Sequence, residues 1–349
     1  MQNLKEPAIS GKTAIGIIGG GAFGTALATS FSKKGLPVLL WARSSEIVDE
    51  ISTYKTNRHY TGNFLLPKNI DATCNLDELF DSCGVWLYAC PSPHVREFMQ
   101  FALRAVTKRR GAATFINTAK GLEPVSLKFH NEIAEELWGQ EFGRRCYMSL
   151  SGPSFASEIL TGVPTCLSLS GHPTSSLKEV QQLIASESLR PYTTTDLIGC
   201  QLGGAIKNVL AIASGAVDGM KLGHNTQAAF INLGLSEMAR LGVCLGARTE
   251  TFLGFSGIGD LILTCTSPLS RNRSFGSGLG RGLTVAHALE QAGKTVEGYQ
   301  AAPSIRALIE KTGALAPICL ETYDVLYNGK PVAVAIQELL SRPAGVEWA

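Results

Sequence analysis

Residues 14–24 read Ala14-Ile15-Gly16-Ile17-Ile18-Gly19-Gly20-Gly21-Ala22-Phe23-Gly24. A short apolar run with no polar alternation is the pattern of a strand buried on both faces, as in a parallel sheet covered by helices. The G-x-G-x-x-G spacing that follows has a physical reading at each glycine. Gly19 lets the chain turn tightly, and Gly21 leaves space where a Cβ would collide with phosphates. Gly24 lets the next helix pack closely on the strand. The pattern predicts a helix over about residues 21–33, with Ala26, Leu27 and Phe31 toward the sheet. Its free N–H groups and positive end, together with Ala22 and Phe23 of the loop, would face a dinucleotide pyrophosphate. In a chain with 37 glycines the motif alone is weak. Its place after the first strand gives it weight against a glycine turn with no ligand.

A second strand is expected at 37–41, followed by Trp41-Ala42-Arg43-Ser44. Dinucleotide folds that prefer NAD often carry an acid near this point, on the ribose hydroxyls. Here Arg43 stands in its place, and a guanidinium suits a 2′-phosphate. Arg43 therefore favours NADP, while Glu46 and Asp49 close by keep NAD open. A solvent-facing loop arginine is the competing account.

Outward from this start, apolar strand patterns recur at 84–90, 112–117, 146–150 and 164–170, alternating with helical ones. That is the order of a doubly wound α/β sheet. The runs ending at Pro91-Ser92 and at Thr118-Ala119-Lys120-Gly121 place those loops at the carboxyl edge, where such sheets bind ligands. Near Thr195 the character changes. Alanine- and leucine-rich segments at 197–218, 226–241, 284–291, 301–311 and 331–340 read as helices, with breaks at Pro317 and at 329–331. The expected organisation is a Rossmann-type dinucleotide-binding domain at 12–195 and a mainly α-helical substrate domain at 196–340, with an active site in the cleft between them.

Composition excludes several classes. The 31 basic and 29 acidic residues are well mixed, for a net charge of +2, so no nucleic-acid footprint is present. The basic run Lys108-Arg109-Arg110 reads as a solvated turn. The first ten residues lack a signal-peptide core, and the run Val209–Val217 is too small and interrupted to suggest a membrane span. Nine scattered cysteines with no C-x-x-C fit free thiols in a reducing cytoplasm, and six dispersed histidines give no metal-ligand spacing.

Several residues could carry chemistry. Lys207 lies in the small, apolar run Leu202-Gly203-Gly204-Ala205-Ile206-Lys207-Asn208-Val209. A lysine there is either solvated by a cleft, paired, titrated toward neutrality or snorkelling to the surface. Asn208 could orient a neighbour. Lys120 follows a strand end, so ligand contact and ordinary surface charge compete. The loop Ser151-Gly152-Pro153-Ser154-Phe155-Ala156 offers backbone donors and a hydroxyl, or is a simple turn. In Ser256-Gly257-Ile258-Gly259-Asp260, the one acid could pair with Lys207. Ser270-Arg271-Asn272-Arg273 is either a phosphate clamp or a basic helix end. Glu297 could reach a cofactor amide or cap a helix.

Taken together, GGGAFGTALA (19–28), NTAKGLE (117–123), SGPSFA (151–156), GGAIKNVLAIASG (203–215), SGIGDLILTCTSPLSRNRSFG (256–276) and VEG (296–298) closely resemble the bacterial-type NAD(P)-dependent glycerol-3-phosphate dehydrogenases. The resemblance covers residues 13–340. It implies reversible reduction of dihydroxyacetone phosphate to sn-glycerol 3-phosphate, feeding phospholipid synthesis, in a cytoplasmic homodimer without a metal. It further implies that Lys207 is the proton donor and acceptor, with Asp260 beside it. Lys120, Gly152, Ser154, Ser270, Arg271 and Asn272 match substrate-contacting positions. Arg43, Lys120, Ala156, Arg271 and Glu297 match cofactor-side positions. Gly20 stands where the family commonly has alanine, and Ala22-Phe23 is a mild change in the loop. Two other readings are a related 2-hydroxy or β-hydroxy acid dehydrogenase and a nicotinamide-binding regulator without turnover. The first would need its arginines to hold carboxylate, and the second would not need Lys207 and Asp260 together.

Overall fold

Ile15–Ile18 forms β1, and every residue in it is buried. These and the following observations come from a computed structural model that describes residues 14–109, 112–173, 175–293 and 295–343. The chain divides into two compact units, Met1–Gln201 and Leu202–Ala349.

The first unit is built on eight strands: β1, β2 (Val38–Trp41), β3 (Ile70–Thr73), β4 (Val85–Tyr88), β5 (Thr114–Asn117), β6 (Tyr147–Ser151), β7 (Thr165–Gly171) and β8 (Leu189–Thr194). They lie in the order β3-β2-β1-β4-β5-β6-β7-β8. Pairing is parallel throughout except between β6 and β7. Residue alternation separates two cores. Ile15, Ile17, Val85, Leu87, Ile116 and Met148 pack on one face, with Ala26, Leu27 and Phe31 of the helix Ala22–Lys33 (α1). Ile18, Trp86, Tyr88, Phe115 and Tyr147 pack on the other.

The pattern at 14–18 and the apolar face of α1 agree with the sequence reading. Two strands were not anticipated. β3 (IDAT) and β8 (LRPYTT) are edge strands with mixed exposure, so their polar residues hide the apolar signal. Nor is Lys108-Arg109 a merely solvated turn. Lys108 ends the helix Val95–Lys108 and pairs with Asp81 at 2.8 Å. Arg109 donates to the carbonyls of Phe80 and Asp81. Arg110 lies outside the described residues.

The second unit is helical. Its main elements are α2 (Leu197–Gly219, which begins in the first unit), α3 (His224–Cys244), α4 (Asp260–Thr266), α5 (Arg271–Gly280), α6 (Glu297–Thr312) and α7 (Pro317–Tyr327). Pro317 occupies the first turn of α7, where its missing N–H costs nothing. The segments forming α4 and α5 lie outside the helical runs expected from sequence, where 270–273 reads as a phosphate clamp or a basic helix end, and both are helical.

The reason is backbone contact. A Cβ added at Gly215 or Gly219 of α2 would sit 2.1 or 2.2 Å from the carbonyl oxygens of Arg273 and Ser277. One added at Gly276 or Gly280 of α5 would sit 2.0 or 2.2 Å from those of Ile212 and Ala216. Each glycine costs a helix about 0.5–1 kcal/mol relative to alanine, and the close packing of the two helices offsets that cost.

By length and apolarity alone α2 qualifies as a membrane span, contrary to the sequence expectation, with a mean hydropathy of 1.3 over an 18-residue window. The bent pair Thr249–Thr266 and Arg271–Gly280 qualifies only if taken as one span. Of the α2 window 83% is buried within the protein, which accounts for its apolar character.

Candidate active site

In the first unit the predicted cofactor and substrate residues share the carboxyl edge of the sheet. The glycine loop follows β1, Arg43 follows β2, Lys120 follows β5, and Gly152, Ser154 and Ala156 follow β6. β1 lies between β2 and β4, so the strand order reverses there and leaves a crevice. The three motif glycines have separable reasons. Gly19 has φ +128° and no room for a Cβ beside Ala89 O and Cys90 Sγ. A Cβ on Gly24 would lie 1.9 Å from Gly19 O, so only glycine lets α1 seat on the loop. Around Gly21 nothing approaches within 4 Å of a Cβ position. This is the open cradle that a pyrophosphate requires, at the N-terminus of a 12-residue helix whose N-cap, Gly21, has no capping side chain. The residues present therefore fit a dinucleotide.

Arg43 is exposed, and its side chain makes no hydrogen bond or ion pair within the described residues. Lys120 is half-buried and donates to Gly152 O at 3.4 Å, and Ser154 Oγ donates to the same carbonyl at 3.0 Å. The loops after β4 and β5 are joined by a buried imidazole. Asn117 accepts from Ala119 N and places its Nδ2 2.7 Å from His130 Nδ1. That amide is a donor, so His130 Nδ1 accepts and Nε2 carries the proton, 3.1 Å from Ser92 Oγ. Burial lowers the His130 pKa to about 4, against a weaker upward pull from Glu123, and so keeps the ring neutral.

In the second unit Lys207 is 5% exposed, which removes the snorkelling account. Its ammonium donates to Asp260 Oδ1 and, at 2.8 Å, to Thr264 Oγ1. Thr264 in turn donates to Asp260 O at 2.6 Å. A lysine this buried needs a counter-charge to stay protonated, and Asp260, 1% exposed, supplies it. Thr264 was not singled out from sequence. Its signal is the four-residue spacing from Asp260, which puts both on one helix face once 260–266 is known to be helical.

A second cluster locks three helices. Asn272 Nδ2 donates to Asn208 Oδ1 at 2.9 Å, and Asn208 Nδ2 donates to Glu297 Oε2 at 3.1 Å. Gly298 N donates to Asn272 Oδ1 at 2.9 Å. Glu297 is the exposed first residue of α6, where a carboxylate also meets the positive helix end. Ser270 is a buried N-cap that accepts from Arg273 N. The two arginines of the SRNR run have different surroundings. Arg273 pairs with Asp218 at 3.0 Å. Arg271 is exposed and makes no side-chain hydrogen bond or ion pair among the described residues. Of the two, Arg271 is the cation available to an anion.

Comparison with known proteins points the same way. Residues 14–176 match the sequence model of the NAD-dependent glycerol-3-phosphate dehydrogenase N-terminus, and residues 196–337 match that of its C-terminus. The chain is 43% identical over 331 residues to a glycerol-3-phosphate dehydrogenase [NAD(P)+] of Caulobacter vibrioides, covering 94% of this chain and 97% of that one. It is 39% identical over 333 residues to that of Geobacter sulfurreducens, covering 95% and 98%. The crystal structure of glycerol-3-phosphate dehydrogenase from Coxiella burnetii superposes with a TM-score of 0.87 at 34% identity, over 95% of this chain and all of that one. A glycine cradle at the switch point of the sheet, a buried pair of Lys207 on α2 with Asp260 on α4, and matches along both halves lead to one conclusion: the chain belongs to the NAD-dependent glycerol-3-phosphate dehydrogenase family.

Proposed function

We propose that this chain catalyses the reversible NAD(P)H-dependent reduction of dihydroxyacetone phosphate to sn-glycerol 3-phosphate, supplying glycerophospholipid synthesis. The observation that carries the reading is Lys207, a buried ammonium held by Asp260 and Thr264 on an otherwise apolar helix. The nicotinamide, when bound, supplies or accepts the hydride. The chain's own residues do the rest. Backbone N–H groups at Gly21 and the first turn of α1 hold the pyrophosphate. Arg43 pairs a 2′-phosphate, which favours NADP while leaving NAD usable. Lys207 stabilises the negative charge that develops on the ketone oxygen and donates the proton there. In the reverse direction it takes the alcohol proton, with Asp260 balancing its charge.

Arg271 binds the substrate phosphate, and Lys120, Gly152 and Ser154 contribute polar contacts. Ser270 and Asn272 act mainly by shaping the start of α5. Holding the remote phosphate orients the ketone, so binding energy far from the reacting carbon contributes to rate. None of the nine cysteines forms a disulfide, which supports a reducing, cytoplasmic setting. A homodimer rests on the family resemblance.

The test follows NAD(P)H absorbance with dihydroxyacetone phosphate, using each reduced cofactor in parallel and short 2-oxo acids as comparison substrates. Lys207→Ala is expected to lower turnover by about a thousandfold or more while cofactor affinity is retained. Near-normal turnover in that variant would remove Lys207 from its assigned role. Faster turnover of the 2-oxo acids would favour the hydroxy-acid dehydrogenase reading.

A further inference from the structure

Asn57 lies 37 residues from the glycine loop in sequence, in the segment after the helix Ser45–Tyr54. It is completely buried. Its Nδ2 donates to Gly20 O at 2.9 Å and to Thr25 Oγ1 of α1 at 2.9 Å. Its Oδ1 is buried with no hydrogen-bond partner among the described residues. The orientation of this amide is dictated by its surroundings, because a backbone carbonyl only accepts, so nitrogen and not oxygen must face Gly20. Both amide hydrogens are thus committed to the loop and the helix behind it, while the oxygen is left unsatisfied, an arrangement that proteins generally avoid.

The consequence lies in the next peptide. The Gly20–Gly21 peptide is planar and trans, so its C=O and N–H point in opposite directions. With Gly20 O drawn inward to Asn57, planarity turns the Gly21 N–H the opposite way, and the Cβ position of Gly21 is open. It joins the unpaired N–H groups at the start of α1. We propose that Asn57 is a positioning residue for the dinucleotide: it sets the Gly20–Gly21 peptide so that a donor, and not a carbonyl oxygen, faces the pyrophosphate. This deepens the cofactor assignment and rests on it.

The proposal ranks two variants differently in affinity and in stability. In Asn57→Asp, two carboxylate oxygens replace the amide. Facing Gly20 O they repel it, and the peptide is driven to turn over, so that Gly21 N–H points inward to the carboxylate and Gly20 O points outward. That rotation supplies the aspartate with a donor, and Thr25 can donate to it as well, so the fold keeps its local hydrogen bonds. The anion site, however, now presents an oxygen. In Asn57→Ala the peptide merely loses its tether. Cofactor affinity should therefore fall in the order wild type, Ala, Asp, whereas thermal stability should fall in the order wild type, Asp, Ala.

Binding of NADPH and NADH is measured on the full-length protein by quenching of the cofactor's fluorescence, with melting temperature read alongside. The expected result is that Asn57→Asp binds at least about tenfold more weakly than Asn57→Ala. Its KM for dihydroxyacetone phosphate should be unchanged at saturating cofactor. Affinity that tracks melting temperature across the variants overturns the proposal, as does an Asp variant that binds like wild type or like Ala. If Asn57→Asp does not fold, Thr25→Val serves instead. It removes one acceptor of Asn57 and keeps the Gly20 contact, so it should leave affinity within about twofold. A loss comparable to that of Asn57→Ala would then reject Gly20 as the point of action. Because binding is read without turnover, a wild-type chain that binds cofactor and fails to reduce the substrate would overturn the assigned reaction and leave the Asn57 comparison intact.

Discussion

Lys207 was legible in the sequence because it stands alone in a long apolar run, and charge in such a setting requires an explanation. Its partners were legible in part. Asp260 is the acid of a glycine-flanked segment, but Thr264 is hidden until that segment is known to be helical. Asn57 carried no signal at all, since its partners Gly20 and Thr25 meet it only through tertiary folding. The Lys207 contacts rank the effect of substitutions. Asp260→Asn leaves a buried cation without its counter-charge. Thr264→Val removes one neutral acceptor and keeps the ion pair. Steady-state kinetics at saturating cofactor are expected to show about a tenfold loss of kcat for Thr264→Val and a distinctly larger one for Asp260→Asn. Cofactor affinity should stay unchanged in both. Equal losses would mean that the carboxylate does not govern the charge of Lys207.

Secondary elements were readable where burial is uniform and obscure where it is not. β1, β4 and β5 are wholly buried and stand out as apolar runs. β3 and β8 sit at the sheet edges, with mixed burial along each strand. The α4 and α5 segments defeated propensity for another reason: in α5, contact between backbones selects glycine where a free helix would select alanine. Gly276→Ala tests that account. Its new methyl would meet Ile212 O at 2.0 Å, a main-chain atom of the facing helix that cannot swing aside as a side chain would. The expected destabilisation is about 3 kcal/mol or more, read by calorimetric or denaturant unfolding. Ser274→Ala, exposed on the same helix, is the control and should change stability by less than about 0.5 kcal/mol. A mild effect at Gly276 would show that the two helices have room to part.

At the scale of the whole molecule, the two units respond to acid and base in opposite senses. His130, in the first unit, is held neutral by burial with its pKa lowered to about 4. Its contribution is fully present above the ordinary histidine value of 6.5 and is lost as pH falls from there through about 4. In the second unit, burial pushes Glu237 up to about 7 from 4.5, although Ile318 N and Cys319 N donate to it at 2.6 and 3.1 Å and pull the other way. That contribution is present below 4.5 and is lost as pH rises through about 7. Glu237 caps α7 from a neighbouring helix, because Ala316 at the N-cap position has no side-chain acceptor. Glu237→Gln is expected to flatten the fall in stability between pH 4.5 and about 7, measured by thermal unfolding across that range. At pH 5 it should be less stable than wild type, since its amide presents a donor to a backbone donor. An unaltered pH slope would show that Glu237 does not titrate in this interval.

The apolar character of α2 has a further consequence, during synthesis. The glycines it packs against belong to α5 and α6, so the last of its partners is complete only at Thr312, roughly ninety residues after Gly219. At about 5–20 residues per second this takes several seconds. For that time a segment with the length and hydropathy of a membrane span is outside the ribosome and lacks the surfaces that will bury it. Chaperone demand on the nascent chain should therefore peak between the emergence of α2 and that of α6.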